Sequence, residues 1–161
     1  MKEIIIYTDG GCRDNGAENN FGGIGIVLIY PKMNYIKEYK EGFKDTTNNQ
    51  MELLAVIKGL KMLKEPCKVN LHSDSAYVVN AFQKDWISSW RQKGWTRGKS
   101  GELKNKELWQ ELYELTQIHK VEFIKVKGHS DDKYNNRCDE LVNIAMDELE
   151  ESQGNYLIGG N

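Results

Sequence analysis

The sequence predicts an α/β fold with a five-stranded mixed sheet, three antiparallel strands and then two parallel ones, flanked by helices. Strand-like runs follow one another closely in the first 43 residues, and helical and strand-like segments alternate after residue 47. Such an order is typical of one mixed sheet with helices packed on it. No internal repeat or linker divides the chain. We therefore expect a single domain over residues 1–161, with a loose polar tail from about residue 152.

The first three strands are predicted from apolar runs and the residues that end them. Residues 4–8 are β-branched and aromatic, and the run ends at Asp9. Residues 22–30 form a second run, which Pro31 stops. Residues 35–43 alternate apolar and polar side chains, as a half-exposed strand does. The short connections between these segments favour an antiparallel meander.

Helices and two further strands account for the rest of the chain. Thr47 and Gln50 fit a capping box, which opens a helix that continues to about Leu63 with apolar residues at the helical period. The later segments follow in order: a strand at 69–73, a helical stretch at 77–82, a basic tryptophan-rich segment at 86–101, a helix at 103–115, a strand at 121–126 and a last helix from about 136 to 150.

Composition restricts the classes of function. The chain has 161 residues, a net charge of −2 and apolar runs far too short to cross a bilayer, so we expect no membrane partner. The three cysteines have no zinc-site spacing, which favours a reducing, cytoplasmic setting. The small net charge conceals an asymmetry, because residues 84–106 hold seven basic side chains and only two acidic ones. Local charge decides where a phosphate backbone can bind.

Four acidic residues at element ends are the candidates for chemistry: Asp9, Glu52, Asp74 and Asp139. Each one alone is compatible with a structural role, since acids at strand ends and in first helical turns cap helices or favour the helix dipole. Periodicity does not show that the four converge. If they do converge, their mutual repulsion requires cations, and an all-oxygen set favours Mg²⁺ or Mn²⁺.

Five segments of the chain resemble type 1 ribonuclease H of bacteria, the form of that family that carries a basic protrusion. They are Tyr-Thr-Asp-Gly-Gly at 7–11, Thr-Thr-Asn-Asn-Gln-Met-Glu-Leu at 46–53, His-Ser-Asp-Ser at 72–75, Val-Lys-Gly-His at 126–129 and Asn-Arg-Cys-Asp-Glu-Leu at 136–141. The likeness extends from about residue 3 to 150, in the family's order and spacing. It implies the ribonuclease H-like fold and an endonuclease that hydrolyses the RNA strand of RNA–DNA hybrids.

The resemblance also implies a cofactor and a set of ligands. Asp9, Glu52, Asp74 and Asp139 are expected to bind two Mg²⁺ ions, for which Mn²⁺ can substitute, with Asp9 as the bridging ligand. Two ions suit an in-line displacement that leaves 5′-phosphate and 3′-hydroxyl ends. His129 by itself is a loop histidine of ordinary type, and the resemblance gives it a catalytic role in proton transfer or product release.

Contacts with the hybrid are likewise implied by the resemblance. Asn15, Asn48 and Asn49 are by spacing ordinary turn and cap residues, and the family's matching positions contact the hybrid backbone. Thr47 could help a helix N-terminus to hold a phosphate of the DNA strand. Ala76 departs from several bacterial relatives, which carry a glutamine there, so that contact is missing.

The basic tryptophan-rich segment resembles the protrusion that grips the DNA strand. The residues expected to bind the hybrid there are Trp86, Arg91, Lys93, Trp95, Arg97 and Lys99. An alternative is that the tryptophans, Trp86 and Trp90 above all, belong to the core beneath a solvated basic face.

We expect the protein to be a monomer, and two rival functions stay open at this point. One is another nuclease of the same fold, such as a resolvase or a transposase core, which the basic segment and His129 disfavour. The other is a hybrid-binding module that has lost catalysis, which the presence of all four acids disfavours.

Overall fold

The computed structural model describes residues 1–127 and 132–159, with the side chains of the last part described through residue 154. The strands are β1 (Lys2–Arg13), β2 (Phe21–Tyr30), β3 (Tyr35–Lys44), β4 (Cys67–Ser73) and β5 (Lys120–Lys125). The α-helices of these described residues are α1 (Asn48–Lys61), α2 (Ala76–Gln83), α3 (Trp86–Gln92), α4 (Lys106–Ile118) and α5 (Lys133–Gly159).

The strands form one mixed sheet in the spatial order β3-β2-β1-β4-β5. β2 pairs antiparallel with both β1 and β3, whereas β1, β4 and β5 run parallel. The two parallel connections each pass through helices, as parallel pairing requires. The predicted fold class is therefore confirmed, including its three antiparallel and two further parallel strands.

Helices cover both faces of the sheet because the side chains of β1 and β2 alternate between two apolar clusters. The larger cluster joins Ile6 and Ile26 to α1 and α4 and includes the fully buried Trp109. The smaller one joins Val27 to Cys138 and Leu141 of α5. The central strand β1 thus lies between α1 and α5, and both helices reach its carboxyl-terminal half.

The start of α1 forms half of the predicted capping box. The Thr47 hydroxyl accepts a hydrogen bond from the Gln50 N–H at 3.1 Å. The Gln50 side chain does not return to the Thr47 backbone. Instead it accepts a hydrogen bond from the Thr46 hydroxyl at 3.0 Å, which holds the preceding residue against the helix.

Two boundaries differ from the prediction. β1 continues past Asp9 to Arg13, because residues 9–13 pair with the first half of β2. α5 continues to Gly159, beyond the end expected at about residue 150, so the backbone of 152–159 is helical in the segment where a loose tail was expected. Adding residues to an existing helix costs much less than nucleating one, and no proline stops it here. Within the described residues, no helix combines the length and the apolar character needed to span a bilayer.

Candidate active site

Asp9 lies at the centre of the site, within β1 and opposite Gly25 of β2. Its side chain is buried, and its Oδ1 accepts a hydrogen bond from the Gly10 N–H at 3.0 Å. Burial, reinforced by the charges of Asp74 and Asp139, raises the pKa of Asp9 from 3.8 to about 8. At neutral pH the metal-free protein therefore keeps a proton on this carboxyl group.

Glu52 reaches Asp9 because α1 packs directly on the backbone of β1. A Cβ atom at Gly10 would lie 2.3 Å from the Met51 carbonyl carbon and 2.5 Å from the Glu52 nitrogen, so only glycine permits this approach. Burial, followed by the charges of Asp9 and Asp74, raises the pKa of Glu52 well above its usual value. Its Oε2 is buried and meets no hydrogen-bond donor in the described part of the chain.

Asp74 is placed beside Asp9 by the parallel pairing of β4 with β1, in which Ser73 is the partner of Thr8. The turn that carries it is fixed on both sides. The Ser73 hydroxyl accepts a hydrogen bond from the Ser75 N–H at 3.1 Å, and the Ser75 hydroxyl caps α2 by accepting one from the Val78 N–H at 3.3 Å. The side chain of Asp74 therefore projects from a rigid strand end.

Asp139 comes from the opposite face of the sheet, on α5. A Cβ atom at Gly25 would lie only 2.4 Å from the Cys138 carbonyl oxygen, so this glycine lets α5 lie close to β2. The charge of Asp139 contributes to the raised pKa of Asp9, although Asp139 itself is exposed to solvent. Glycines at alternate positions of β2 were the sequence feature that could have indicated this close approach.

The structure brings three of the four predicted acids into one potential ligand set. Asp9, Glu52 and Asp74 each offer a carboxylate oxygen, and these atoms lie within 4.8 Å of one another. Two unit charges about 5 Å apart repel by roughly 3 kcal/mol at an effective dielectric constant of 20. The set fits a divalent cation that prefers hard oxygen ligands, because such an ion removes the repulsion and gives Glu52 Oε2 a partner.

The amide residues predicted to contact substrate meet at the N-terminus of α1. The Asn15 side-chain oxygen accepts a hydrogen bond from the Asn48 N–H at 3.1 Å, and Thr47 and Asn49 are exposed beside it. Sequence reasoning missed Asn20, which fixes this arrangement. Its buried side-chain amide exchanges two hydrogen bonds of 2.9 Å with the Thr46 backbone and ties the β1–β2 loop to the start of α1.

The structure separates the tryptophans of the basic segment. Trp90 packs on the buried Trp109 with ring centroids 5.1 Å apart, so the core alternative holds for Trp90. Trp86 tilts against Trp90 but remains 39% exposed. Trp95 is half-buried against Tyr113 at 5.8 Å. Of the tryptophans predicted to contact substrate, Trp86 is the more accessible.

The basic side chains of this segment carry charge that no acid among the described residues neutralises. Within residues 1–127 and 132–159, none of the lysines and arginines from 84 to 106 forms a salt bridge. Arg91 lies 4.3 Å from the centre of the Tyr113 ring, which holds its guanidinium at the surface. Lys93, Arg97 and Lys99 are exposed.

Two further positions from the sequence analysis are His129 and Ala76. His129 lies outside the described residues, so its catalytic role stays a prediction. Ala76 is the exposed first residue of α2, two residues after Asp74, and it offers no side-chain hydrogen bond at this edge.

A carboxylate cluster that suits a divalent cation, at the centre of a β3-β2-β1-β4-β5 sheet, is consistent with the class of metal-dependent phosphodiester hydrolases to which the sequence motifs pointed. The family model described as RNase H matches residues 1–147. A ribonuclease H of Clostridium botulinum is 57% identical over 149 residues, covering 92% of this chain and 99% of the relative.

Solved structures agree with this match. LC9-RNase H1, a type 1 RNase H with the type 2 active-site motif, is 31% identical with a TM-score of 0.77, covering 92% of this chain and 74% of that one. LC11-RNase H1 in complex with RNA/DNA hybrid is 28% identical with a TM-score of 0.67, covering 91% and 98%. The chain belongs to the RNase H family, which confirms the predicted resemblance and the prediction of a ribonuclease.

Proposed function

We propose that the protein is an endonuclease that hydrolyses the RNA strand of RNA–DNA hybrids with two Mg²⁺ ions, leaving 5′-phosphate and 3′-hydroxyl ends. The observation that carries the proposal is the cluster of the buried Asp9 with the half-buried Glu52 and Asp74, in which one carboxylate oxygen has no donor among the described residues. A catalytically lapsed module would have no need to keep such repulsive groups together.

The four acidic residues are assigned to metal binding. Asp9, Glu52, Asp74 and Asp139 would hold the ions, and Asp9 is the acid whose pKa both Asp74 and Asp139 raise. When bound, the ions supply Lewis-acid activation of water and stabilise charge on the scissile phosphate. The raised pKa of Asp9 means that ion binding displaces a proton, so binding strengthens as pH rises towards 8.

The RNA strand is assigned to the N-terminus of α1. Asn15, Asn48 and Asn49 present exposed amides there, and an amide can both donate to and accept from a ribose 2′-hydroxyl. Thr47 uses its oxygen to cap the helix and retains its hydroxyl proton for a phosphate. Because Glu52 follows in the next turn of the same helix, recognition and metal binding are rigidly connected.

The DNA strand is assigned to the basic segment. Arg91, Lys93, Arg97 and Lys99 are free of salt bridges within the described residues, so binding of phosphates does not require an existing ion pair to break. Trp86 offers an exposed ring for a sugar, and Trp95 a half-buried one. The likeness to LC11-RNase H1, which was solved with an RNA/DNA hybrid, supports this partner.

A cleavage assay tests the proposal. Labelled RNA–DNA hybrid, duplex RNA, duplex DNA, single-stranded RNA and a four-way DNA junction are incubated with the protein in Mg²⁺, in Mn²⁺ and in EDTA. Cleavage confined to the RNA of the hybrid, dependent on the metal and leaving ligatable 5′-phosphate ends, is expected. Comparable cutting of the junction or of duplex DNA would favour the resolvase-like alternative, and cutting in EDTA would contradict the metal role.

Three further assignments belong to the same proposal. His129 is assigned to proton transfer or product release, so His129→Ala is expected to lower kcat without eliminating cleavage; an unchanged rate would leave it an ordinary loop residue. The free thiols of Cys12, Cys67 and Cys138 support a reducing, cytoplasmic setting. All four acids come from one chain, which supports a functional monomer and is tested by the molar mass in solution.

A further inference from the structure

The connection between β1 and β2 carries Asn15, one of the amides assigned to the RNA strand. Residues 14–19 are all exposed, whereas Asn20, the last residue before β2, is buried. A segment whose side chains are exposed gains little rigidity from apolar packing, so its shape depends on its hydrogen bonds. Asn20 is thus the residue through which the folded core can fix this connection.

Asn20 is hydrogen-bonded to the segment that leads from β3 into α1. Its Oδ1 accepts a hydrogen bond from the Thr46 N–H at 2.9 Å, and its Nδ2 donates one to the Thr46 carbonyl oxygen at 2.9 Å. The Asn20 carbonyl oxygen accepts a third hydrogen bond, from the Asp45 N–H at 3.0 Å. Asn20 therefore continues the pairing of β2 with β3 beyond its last pair, Phe21 with Lys44, with its side-chain amide in the place of a peptide group.

The same amide also reaches the turn that carries Asn15. Asn20 Nδ2 donates a second, longer hydrogen bond of 3.4 Å to the Asp14 carbonyl oxygen. That carbonyl oxygen also accepts a hydrogen bond from the Ala17 N–H at 2.9 Å, which closes a turn over residues 14–17. Asn15 lies at the second position of this turn. Asn20 therefore joins the turn to Thr46, which lies two residues before the start of α1.

Asn15 completes the link from the turn to the helix. Its Oδ1 accepts a hydrogen bond from the Asn48 N–H at 3.1 Å, one of the first N–H groups of α1, which have no partner within the helix. The Asn15 oxygen is therefore used within the protein, and the group that Asn15 can offer to a ribose 2′-hydroxyl is its NH₂. Because this hydrogen bond is exposed to solvent, it holds Asn15 only weakly by itself.

The position of Glu52 does not depend on Asn20. α1 is held on the sheet by its apolar face, in which Leu53 and Leu60 are fully buried, and by its close approach to the Gly10 backbone. Loss of the Asn20 amide would therefore release the exposed connection and leave the metal ligands in place. A change at Asn20 is thus expected to disturb the RNA-strand contacts of the β1–β2 connection without disturbing metal binding.

We propose that Asn20 is a positioning residue for recognition of the RNA strand: its buried amide holds the turn that carries Asn15 against the N-terminus of α1. The amides of Asn15, Asn48 and Asn49 then form one rigid surface before the substrate binds, which lowers the entropy cost of contacting ribose hydroxyls. The proposal rests on the function proposed above, since it assumes that these amides contact the RNA strand. Asn20 itself is buried, so it acts through Asn15 and not by contact with the substrate.

The test compares the affinities of the full-length protein for an RNA–DNA hybrid and for a DNA duplex of the same sequence, measured by fluorescence anisotropy in EDTA. Both ligands offer phosphates to the basic segment, whereas only the hybrid offers 2′-hydroxyl groups. Asn20→Ala is expected to weaken hybrid binding about tenfold, as the loss of one hydrogen bond does, and to change duplex binding by less than about twofold. In Mg²⁺ it is expected to raise KM for the hybrid and to keep kcat within about twofold of wild type.

His119→Ala is the matched control. The His119 side chain is also buried, and it ties the end of α4 to the start of β4, since its Nδ1 accepts a hydrogen bond from the Cys67 N–H at 3.1 Å. Cys67 begins β4, whereas Asp74 follows the other end of that strand, so this link lies away from the site. The control is expected to lower Tm and to leave the ratio of the two affinities unchanged. A similar fall of the ratio in His119→Ala and Asn20→Ala would overturn the proposal, because the effect would then be one of general stability.

A second variant keeps the test decisive if Asn20→Ala does not fold. Asn20→Ser retains a hydroxyl that can replace only part of the hydrogen bonds of the amide, and it is expected to lower the hybrid-to-duplex ratio by a smaller factor. In a double variant with Asn15→Ala, the change at Asn20 is expected to have little further effect, because it acts through Asn15. Additive losses, or a wild-type ratio in the folded variants of Asn20, would refute the role of Asn20. Failure of the wild-type protein to cut the hybrid in Mg²⁺ would instead refute the proposed function.

Discussion

Replacing Asp9 with asparagine removes one negative charge from the carboxylate cluster and nearly preserves the shape of the side chain. Because the pKa of Asp9 is raised in the folded protein, the folded metal-free state holds a proton that the unfolded chain releases. The stability contributed by this group is therefore full below the unfolded pKa and is lost as pH rises towards 8. We expect Asp9→Asn to stabilise the metal-free protein at neutral pH while abolishing cleavage.

The gain in stability expected for Asp9→Asn follows from the raised pKa of Asp9. The pKa changes from 3.8 to about 8, and the part of this interval below pH 7 spans about three units. At 1.36 kcal/mol per unit, this gives a gain of up to about 4 kcal/mol for the neutral variant at pH 7. Relaxation of the site reduces this value, and for a domain of this length 2–3 kcal/mol corresponds to a rise in Tm of roughly 5–10 °C.

The assay is thermal unfolding in EDTA at pH 5, 6, 7 and 8 for wild type and variant. The advantage of Asp9→Asn is expected to grow with pH over this range. Added Mg²⁺ is expected to stabilise wild type by mass action and to stabilise the variant far less. Glu18→Gln, at an exposed position, makes the same change of charge outside the cluster and is expected to leave Tm unchanged.

Two results would refute the reasoning. A variant less stable than wild type in EDTA at pH 7 would mean that the carboxylates do not repel one another as the geometry indicates. A gain that is constant from pH 5 to pH 8 would mean that it does not come from the titration of Asp9.

Three more predictions concern other parts of the molecule. A variant that neutralises the exposed side chains of Arg91, Lys93, Arg97 and Lys99 is expected to have a higher KM for the hybrid and a weaker dependence of KM on salt. An unchanged KM at physiological salt would mean that the segment is merely structural. Gly25→Ala is expected to cost about 1–3 kcal/mol of stability in urea unfolding and to lower kcat, because its Cβ would lie 2.4 Å from the Cys138 carbonyl oxygen. Gly154→Ala, in open space on α5, is the control and is expected to be neutral or stabilising. Burial lowers the pKa of His119, whose Nδ1 accepts a hydrogen bond from the Cys67 N–H at 3.1 Å. Because the unfolded chain then binds a proton more readily than the folded protein, the free energy of unfolding is expected to fall as pH drops below about 6.5. In His119→Asn this fall is expected to be less steep.

Much of the fold could be predicted because it depends on local patterns. The β-branched run at 4–8, the stop at Pro31 and the Thr47 cap each act through neighbouring residues, and each lies in the expected place. Their order along the chain leaves few topologies for a mixed sheet. The end of the last helix was not predictable in this way, because no local residue stops it and continuation is cheap.

The tryptophans show a different limit. Trp86 and Trp90 are four residues apart and alike in sequence context, so helical spacing assigns them to one face. The position of Trp109 on α4 decides between them, since it covers Trp90 and leaves Trp86 exposed. The sequence of the segment 86–101 alone does not indicate which of the two tryptophans is covered.

The sequence by itself determined the order of strands and helices, the identity of the candidate acids and, through resemblance, the family. The resemblance implied that the acids converge, but only the tertiary structure shows how they do so, because convergence depends on backbone approaches between elements far apart in the chain. Gly10 admits α1 beside Asp9, and Gly25 admits α5. Burial then turns Asp9 and Glu52, ordinary acids in sequence, into groups with raised pKa, since removing water penalises charge far more than any local pattern reveals.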